Sequence, residues 1–416
     1  MRELFIKAEH ERSAHRCRTS VVFEGLPRFE PDRIVYEIVG PDAPGQEPNA
    51  NFAVAAALPT AMSLGRPLHV RGWVDADFLA TMEEYMAAWC RWRPDLFQPV
   101  AISADVEMVP GASQRAGAIM AFSGGLDSTF ALHAHKHAML GRRQLDIQAA
   151  VLVQGFDIPL DNAQAFDIAR GHVEAILDSY GVRLNVVRTN WQKPFSVKWT
   201  MTHALGIAAV LHLFHRQFGS GVLADDNAYD IQITPWSSNA ITNQMLGCGA
   251  FPIRPAGAAW SRTQKAGAVA TNAAVLEHLR VCYEQPELGG NCGECEKCFR
   301  TKLNFRGAGV AHVPAIGAPL SVADVRQMIP RNVPYLYRYA EVLKRGTWPS
   351  SDPVRAEVTR LVQQLGAEAS GSDRKTPTYA QRSLQRAKKK ARRFVRAVGS
   401  AFNSLNPYRS RTASNI

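Results

Sequence analysis

The chain has no run of apolar residues long enough to span a bilayer, because charged residues, glycine or proline interrupt every candidate. Its first residues, MRELFIKAEHERSAHR, hold no apolar segment of the kind that a secretory signal needs, so we expect no such signal. Cysteine is scarce, and four of the seven cysteines fall between residues 282 and 298. This clustering disfavours a disulfide framework and favours reduced thiols that ligate a metal, which predicts a cytoplasmic protein.

The body of the chain also lacks an excess of charge. Residues 371–416 hold twelve Lys and Arg and one acidic residue, which equals the net charge of +11 of the whole chain. Residues 1–370 are therefore neutral overall, and the charge does not mark a nucleic-acid-binding body. The basic segment predicts a tail that is either disordered or an amphipathic helix, with an anionic membrane surface or RNA as candidate partners.

The length of 416 residues indicates more than one domain. Residues 1–112 predict a small α+β domain of unknown role, and residues 115–281 predict an α/β domain with a parallel sheet. Residues 282–367 predict a metal site followed by a helical extension, and residues 371–416 form the basic tail. A homodimer is left open.

The predicted elements follow hydrophobic periodicity. In the first domain we expect helices at 52–64 and 75–92, and strands at 19–23, 33–39, 68–72 and 100–106. In the second we expect helices at 128–140, 162–180 and 198–218, and strands at 118–122, 147–154, 183–189 and 221–224. Apolar strands joined through helices are typical of a parallel sheet covered on both faces.

The segment Ser123-Gly124-Gly125-Leu126-Asp127-Ser128-Thr129 follows the apolar strand at 118–122 and precedes a helix. Two glycines let the backbone approach a phosphate, and a helix N-terminus supplies free N–H groups. Serine hydroxyls can donate to phosphate oxygens, and Asp127 would hold Mg²⁺. An ordinary glycine turn with a capping residue is the simpler interpretation, but the whole string in this position favours phosphate binding.

The string SGGLDST resembles the signature of the PP-loop ATP pyrophosphatases, a superfamily with the HUP-like fold of adenine nucleotide alpha hydrolases. The resemblance implies an enzyme that cleaves ATP between the α and β phosphates and attaches AMP to a carboxylate or carbonyl oxygen. A nitrogen or sulfur nucleophile then displaces the AMP. By this resemblance, residues 123–128 bind the departing pyrophosphate.

Further polar residues follow the later predicted strands, where ligands of such sheets bind. Asp157 follows the strand at 147–154, where this fold commonly holds adenosine, and Asp225 follows the strand at 221–224. Arg262 and Lys265 lie where they can meet phosphates. The candidate catalytic residues are Asp127, Ser128 and Lys265, and the candidate ATP-binding residues are Ser123, Gly124, Gly125, Leu126, Asp127, Ser128, Asp157, Asp225 and Arg262.

The cysteine cluster comprises Cys282, Cys292, Cys295 and Cys298. Each CxxC step presents two thiolates to one ion, and Cys282 can supply the fourth ligand. Four protein ligands favour structural Zn²⁺, with an iron–sulfur cluster as the alternative. Together with SGGLDS, the CGxCxxC motif resembles 7-cyano-7-deazaguanine synthase over residues 117–306. That family uses ATP and ammonia to turn a carboxylate into an amide and then a nitrile.

Several alternatives stay open. Residues 225–239 and the flanking regions differ from that synthase, so the acceptor can be another small-molecule carboxylate or a partner that becomes modified. A thiolating enzyme acting on tRNA or a nucleobase uses the same loop, and a non-catalytic ATP-binding module would also keep it. Cys248 could act as a nucleophile, although a small buried side chain is the better interpretation. We do not expect a glutaminase-linked synthetase, which needs an N-terminal cysteine nucleophile, because residue two is Arg2 and the first cysteine is Cys17.

Overall fold

The computed structural model describes residues 3–13, 16–24, 32–44, 49–109, 111, 115–192 and 198–371. These residues form an α/β fold on a ten-stranded sheet, in the order β10-β9-β6-β7-β8-β3-β2-β1-β4-β5. The strands are β1 (Leu4–Ser13), β2 (Arg16–Glu24), β3 (Arg33–Val39), β4 (Leu68–Asp75), β5 (Ile102–Met108), β6 (Ala118–Ala121), β7 (Ile147–Gln154), β8 (Arg183–Thr189), β9 (Ser220–Ala224) and β10 (Ile253–Ala256).

The sheet is mostly parallel. Each neighbouring pair within β6–β10 is parallel, as the sequence predicts for this part of the chain. The pairs β8–β3, β3–β2 and β2–β1 are antiparallel, whereas β1–β4 and β4–β5 are parallel again. The carboxyl ends of β6–β10 therefore meet at one edge, while the amino ends of these strands lie at the other.

The first five helices lie between strands of the sheet, and the others follow β10. The helices are α1 (Asn51–Leu64), α2 (Ala76–Trp92), α3 (Leu126–Lys136), α4 (Ala163–Ser179), α5 (Trp199–His212), α6 (Arg262–Val269), α7 (Ala273–His278), α8 (Glu296–Gly307), α9 (Val322–Arg331), α10 (Leu336–Arg345) and α11 (Pro353–Gly371). Helices follow the cysteine cluster as predicted; α8–α10 are short, whereas α11 has 19 residues and ends at Gly371. None of the helices in the described segments has the length and apolarity needed to cross a membrane.

Each face of the sheet carries its own hydrophobic core. Along β6, Ile119 belongs to the core of α1, α2 and α5, whereas Ala118 and Met120 belong to the core of α3 and α4. Residues of β7 divide in the same way, with Val151 in the first core and Leu152 in the second. Successive side chains of a strand point to opposite faces, so an apolar strand of this kind must be covered on both.

The strands of residues 4–108 extend the same sheet rather than standing apart from it. Tyr36 of β3 pairs with Thr189 of β8, and Asp42 N donates to Asn185 Oδ1 at 3.0 Å. The predicted boundaries near residues 112, 281 and 367 stay predictions. Contacts divide the chain into the units Met1–Val362 and Gln363–Ile416. The basic tail lies outside the described residues beyond Gly371.

Several element bounds differ from the prediction. The helix predicted at 128–140 begins at Leu126 and ends at Lys136, so Asp127 and Ser128 lie in its first turn. The helix predicted at 198–218 ends at His212. Strands β1 and β10 were not predicted, because β1 mixes charged and apolar residues and β10 has only four residues, including a proline.

Candidate functional site

The SGGLDS loop, residues 123–128, joins the buried strand β6 to α3. Gly124 has a φ of +72°, and an added Cβ there would lie 3.1 Å from a Val173 methyl group. Glycine is therefore required for this turn. Helix α3 begins within the loop, so the N–H groups of its first turn lack intrahelical acceptors and carry the positive end of the helix dipole. The loop has the backbone of an anion-binding turn.

The two serine hydroxyls of the loop lie side by side. Ser123 Oγ is 3.4 Å from Ser128 Oγ, and Ser128 Oγ donates to Gly125 O at 3.1 Å. Gly125 N donates to Ser123 Oγ at 3.3 Å. Ser123 is exposed, whereas Ser128 is buried. The exposed hydroxyl at the entrance can donate outward to a ligand oxygen.

Asp127 meets two cations from α6. Arg262 Nη1 contacts Asp127 Oδ2, and Lys265 Nζ donates to Asp127 Oδ1 at 3.0 Å. Ser261 caps α6 through a capping box with Gln264, and residues three apart lie on the same side of a helix. Burial raises the pKa of Asp127, but the charges of Arg262 and Lys265 outweigh it and hold the pKa at about 2. Asp127 is therefore a carboxylate at neutral pH.

Asp225 orients Lys265 through its backbone. Lys265 Nζ, on a fully buried side chain, donates to Asp225 O at 2.7 Å. The Asp225 carboxylate accepts from Asn243 Nδ2 at 3.0 Å and from Ala258 N at 3.2 Å. Burial raises the pKa of Asp225. Its carboxylate thus holds the segments of Asn243 and Ala258 together, while its carbonyl oxygen accepts from Lys265 of α6.

Two nitrogen atoms of the Arg262 side chain are buried without a hydrogen-bond acceptor. The side chain is only 6% exposed, yet Nε and Nη2 have no hydrogen-bond partner. Burial lowers its pKa, and the charge of Asp127 opposes that shift. A buried guanidinium with unpaired N–H groups costs free energy unless an acceptor completes it. Its planar fork fits a phosphate or carboxylate best.

Asp157 forms an ion pair just beyond β7. It follows this strand, as predicted, and its Oδ2 accepts from Arg280 Nη2 at 2.7 Å. The Arg280 side chain is 3% exposed, and it also donates to Gly289 O. Its backbone N–H donates to Gly124 O at 2.8 Å. The sequence analysis missed Arg280, although its position two residues before Cys282 was a usable signal.

An aromatic group, which the sequence analysis also missed, lies beyond the ends of β7 and β9. The ring centroids of Phe156 and Trp199 are 5.0 Å apart, and those of Trp199 and His203 are 5.4 Å apart. Trp236 continues the row and donates Nε1–H to Asp226 Oδ2 at 2.8 Å. Flat apolar surfaces beside a half-exposed carboxylate suit a planar heterocycle that carries N–H groups.

The cysteine cluster is assembled as the sequence predicts. Cys282 Sγ is 3.5 Å from Cys292 Sγ and 3.8 Å from Cys295 Sγ, and Cys292 Sγ is 3.9 Å from Cys298 Sγ. Zinc–sulfur bonds of about 2.3 Å in a tetrahedron place sulfur atoms about 3.8 Å apart. Gly293, with a φ of +75°, permits the turn between the ligands. The four thiols can hold one metal ion such as zinc.

The cysteine cluster is linked to the loop residues through two segments. Cys298 lies on α8, which packs against α6, where Thr263 Oγ1 hydrogen-bonds Asn304 Oδ1 at 3.0 Å. Cys282 follows the segment in which Arg280 binds Gly124 and Asp157. The candidate site therefore comprises the SGGLDS loop, the cations Arg262 and Lys265, and the linked cysteine cluster. The ionised Asp127 of the loop contacts both cations.

Cys248 is not part of this site. It is 7% exposed and lies against Asp75, and burial together with that carboxylate raises its pKa well above the usual range. A thiol of this kind is a poor nucleophile. Cys248 is buried, as expected, and its environment does not favour a role as a nucleophile.

The chain matches no protein-family model, no curated protein and no solved structure.

Proposed function

We propose that this protein is a PP-loop ATP pyrophosphatase of the ligase type, which attaches AMP to a carboxylate and forms a C–N bond. The observation that carries the proposal is the buried Arg262, whose Nε and Nη2 lack partners beside the SGGLDS loop. The loop adds first-turn amides and two hydroxyls, and α6 adds the cation of Lys265. A triphosphate is the ligand whose oxygens and charge match this set of donors.

The reaction would proceed in two displacements. A carboxylate oxygen attacks the α phosphorus of ATP, the bond to the β phosphate breaks, and pyrophosphate leaves. Arg262, Lys265 and the loop amides stabilise the charge that moves onto pyrophosphate. A nitrogen nucleophile such as ammonia then attacks the acyl carbon, loses a proton, and displaces AMP.

Asp127 is the carboxylate that would hold Mg²⁺, and it is ionised as this role requires. Mg²⁺, when bound, neutralises negative charge on the phosphates. The cysteine cluster would hold structural Zn²⁺ and keep α8 and the Arg280 segment in position. Free thiols gathered in a cysteine cluster that would bind a metal support a cytoplasmic location.

The acceptor would be a planar heterocyclic carboxylate, as in 7-cyano-7-deazaguanine synthase. The row of Phe156, Trp199, His203 and Trp236 beside Asp226 supports this choice. A nucleobase or protein-linked carboxylate would use the same chemistry.

The test incubates the full chain with Mg²⁺, ATP, ammonium and 7-carboxy-7-deazaguanine, and quantifies AMP, pyrophosphate and the amide or nitrile. Arg262→Met should lower the rate at least 100-fold, because transition-state charge loses a buried donor. Arg254→Met, which removes an exposed arginine of β10, is the control. AMP formation only with another acceptor would show that 7-carboxy-7-deazaguanine is not the substrate. ATP binding with no turnover under any condition would favour a non-catalytic ATP-binding module.

A further inference from the structure

A second cluster of ligand-type side chains lies far from the SGGLDS loop. Asp75 ends β4, Asp77 lies in the first turn of α2, and Cys248 precedes β10. One ligand atom from each of the three lies within 4.8 Å of the others. Asp75 and Cys248 are separated by 173 residues in sequence and meet only through the fold.

The strand directions place this cluster at the other edge of the sheet. β4 runs parallel to β1, and three antiparallel pairings connect β1 through β2 and β3 to β8. The end of β4 therefore lies where the parallel strands begin, whereas the SGGLDS loop follows the end of β6. The cluster is independent of the proposed ATP chemistry.

Hydrogen bonds satisfy only one half of the Asp75 carboxylate. Its Oδ2 accepts from Asn51 Nδ2 at 2.8 Å, from Asn49 Nδ2 at 3.2 Å and from Cys248 Sγ at 3.2 Å. Its Oδ1 has no partner, although the side chain is 1% exposed. Three donors thus share Oδ2, whereas Oδ1 accepts no hydrogen bond.

Asn49 gives an observation that is independent of the three ligands. Its Nδ2 donates to Asp75 Oδ2 at 3.2 Å, so the same amide group adjoins this carboxylate. The amide oxygen, Oδ1, also has no hydrogen-bond partner, and Asn49 is 2% exposed. Two buried acceptors without donors cost free energy, and a cation that both could contact would remove that cost.

We propose that Asp75, Asp77 and Cys248 bind a zinc-class divalent ion, with Asn49 Oδ1 next to the remaining position. Zn²⁺ accepts thiolate and carboxylate ligands together at about 2.0–2.3 Å, which sets ligand atoms about 3.3–3.8 Å apart. The observed distances require only small movements of side chains to reach this geometry. The ion would join the first turn of α2 to the segment before β10.

The test compares zinc bound per full-length chain after equilibration with zinc and removal of the excess. Asp77→Asn should lose one equivalent relative to the wild type, while Cys282, Cys292, Cys295 and Cys298 keep theirs. Asp77 is exposed, so this variant should fold. Glu83→Gln, which changes another exposed carboxylate of α2, should retain the wild-type content. Cys248→Ser should lower zinc content as Asp77→Asn does.

Equal zinc content in the wild type and both variants overturns the proposal. The rival is a protonated Asp75, whose neutral carboxyl group needs no metal. Under that rival, Asp75→Asn keeps the zinc content and the stability of the wild type. If the Asp77→Asn or Cys248→Ser variant misfolds, cobalt(II) spectra of the wild type decide. The proposal is supported only if these spectra show, besides the four-thiolate site, a second cobalt(II) site with a single thiolate ligand.

Discussion

Arg280 donates its backbone N–H to Gly124 O at 2.8 Å, and this bond fastens the segment before the cysteine cluster to the SGGLDS loop. The same residue binds Asp157 through its guanidinium. A change at the cysteine cluster can therefore reach the loop through two covalently adjacent residues, Val281 and Arg280. A metal held by the cysteine cluster would therefore help to keep the SGGLDS loop in position.

Asp157→Ala should destabilise the chain by about 1–3 kcal/mol, because it leaves the nearly buried Arg280 guanidinium without its counter-ion. Urea unfolding measures the change. Asp167→Ala, which breaks a solvent-exposed pair on α4, should stay within about 0.5 kcal/mol of the wild type. Equal losses of unfolding free energy in the two variants would show that the ion pair of Arg280 contributes no more than an exposed pair.

Lowering the pH should remove the contribution of Asp127 to the free energy of unfolding. Its pKa is about 2 in the folded chain and near 3.8 otherwise, so ionised Asp127 stabilises the fold above pH 4. This contribution, about 2 kcal/mol, should be lost as the pH falls from about 4 to 2. The free energy of unfolding of Asp127→Asn should depend less steeply on pH in this range. Asp146→Asn, at an exposed carboxylate, should keep the wild-type slope.

Loss of a cysteine ligand should unfold the metal site before it affects chemistry. Cys298→Ser removes a ligand from a buried position, and zinc sites of four thiolates contribute on the order of 10 kcal/mol in small domains. We expect loss of bound zinc, lower solubility and lower thermal stability, measured by elemental analysis and thermal unfolding. Cys90→Ser lies on α2 outside the cluster and should keep the metal. Iron with labile sulfide would show a different cofactor.

Deleting residues 372–416 should leave ATP turnover nearly unchanged, because every candidate site residue lies upstream. Sedimentation with vesicles containing anionic lipid should detect binding of the full chain and none of the truncated chain, since the deleted segment carries the basic excess. Vesicles of neutral lipid are the control. If the full chain ignores anionic vesicles but binds RNA, the tail's partner is RNA.

The local parts of the site could be predicted from the sequence, because their signals lie within a few residues. The glycine pair fixes the turn before α3, and the CxxC spacing brings thiols to one ion. β7 and β8 have the predicted bounds, since β7 is mostly apolar and buried, and buried residues alternate with more exposed ones along β8.

The long-range parts could not be predicted in the same way. Nothing near Asp157 in sequence indicates its ion pair with Arg280, which lies 123 residues away. The pairing of β3 with β8 likewise depends on two strands that other elements separate. The orphaned donors of Arg262 become visible only when every neighbouring acceptor is in place.

The bond that is cleaved in ATP tests the central claim most directly. ATP labelled at the α phosphate should yield labelled AMP in the presence of Mg²⁺, an acceptor and ammonium, with an equal amount of pyrophosphate. The wild type should form both products, and Asp127→Asn should form neither at a measurable rate. ADP and orthophosphate as the sole products would contradict the account, because they require cleavage between the β and γ phosphates.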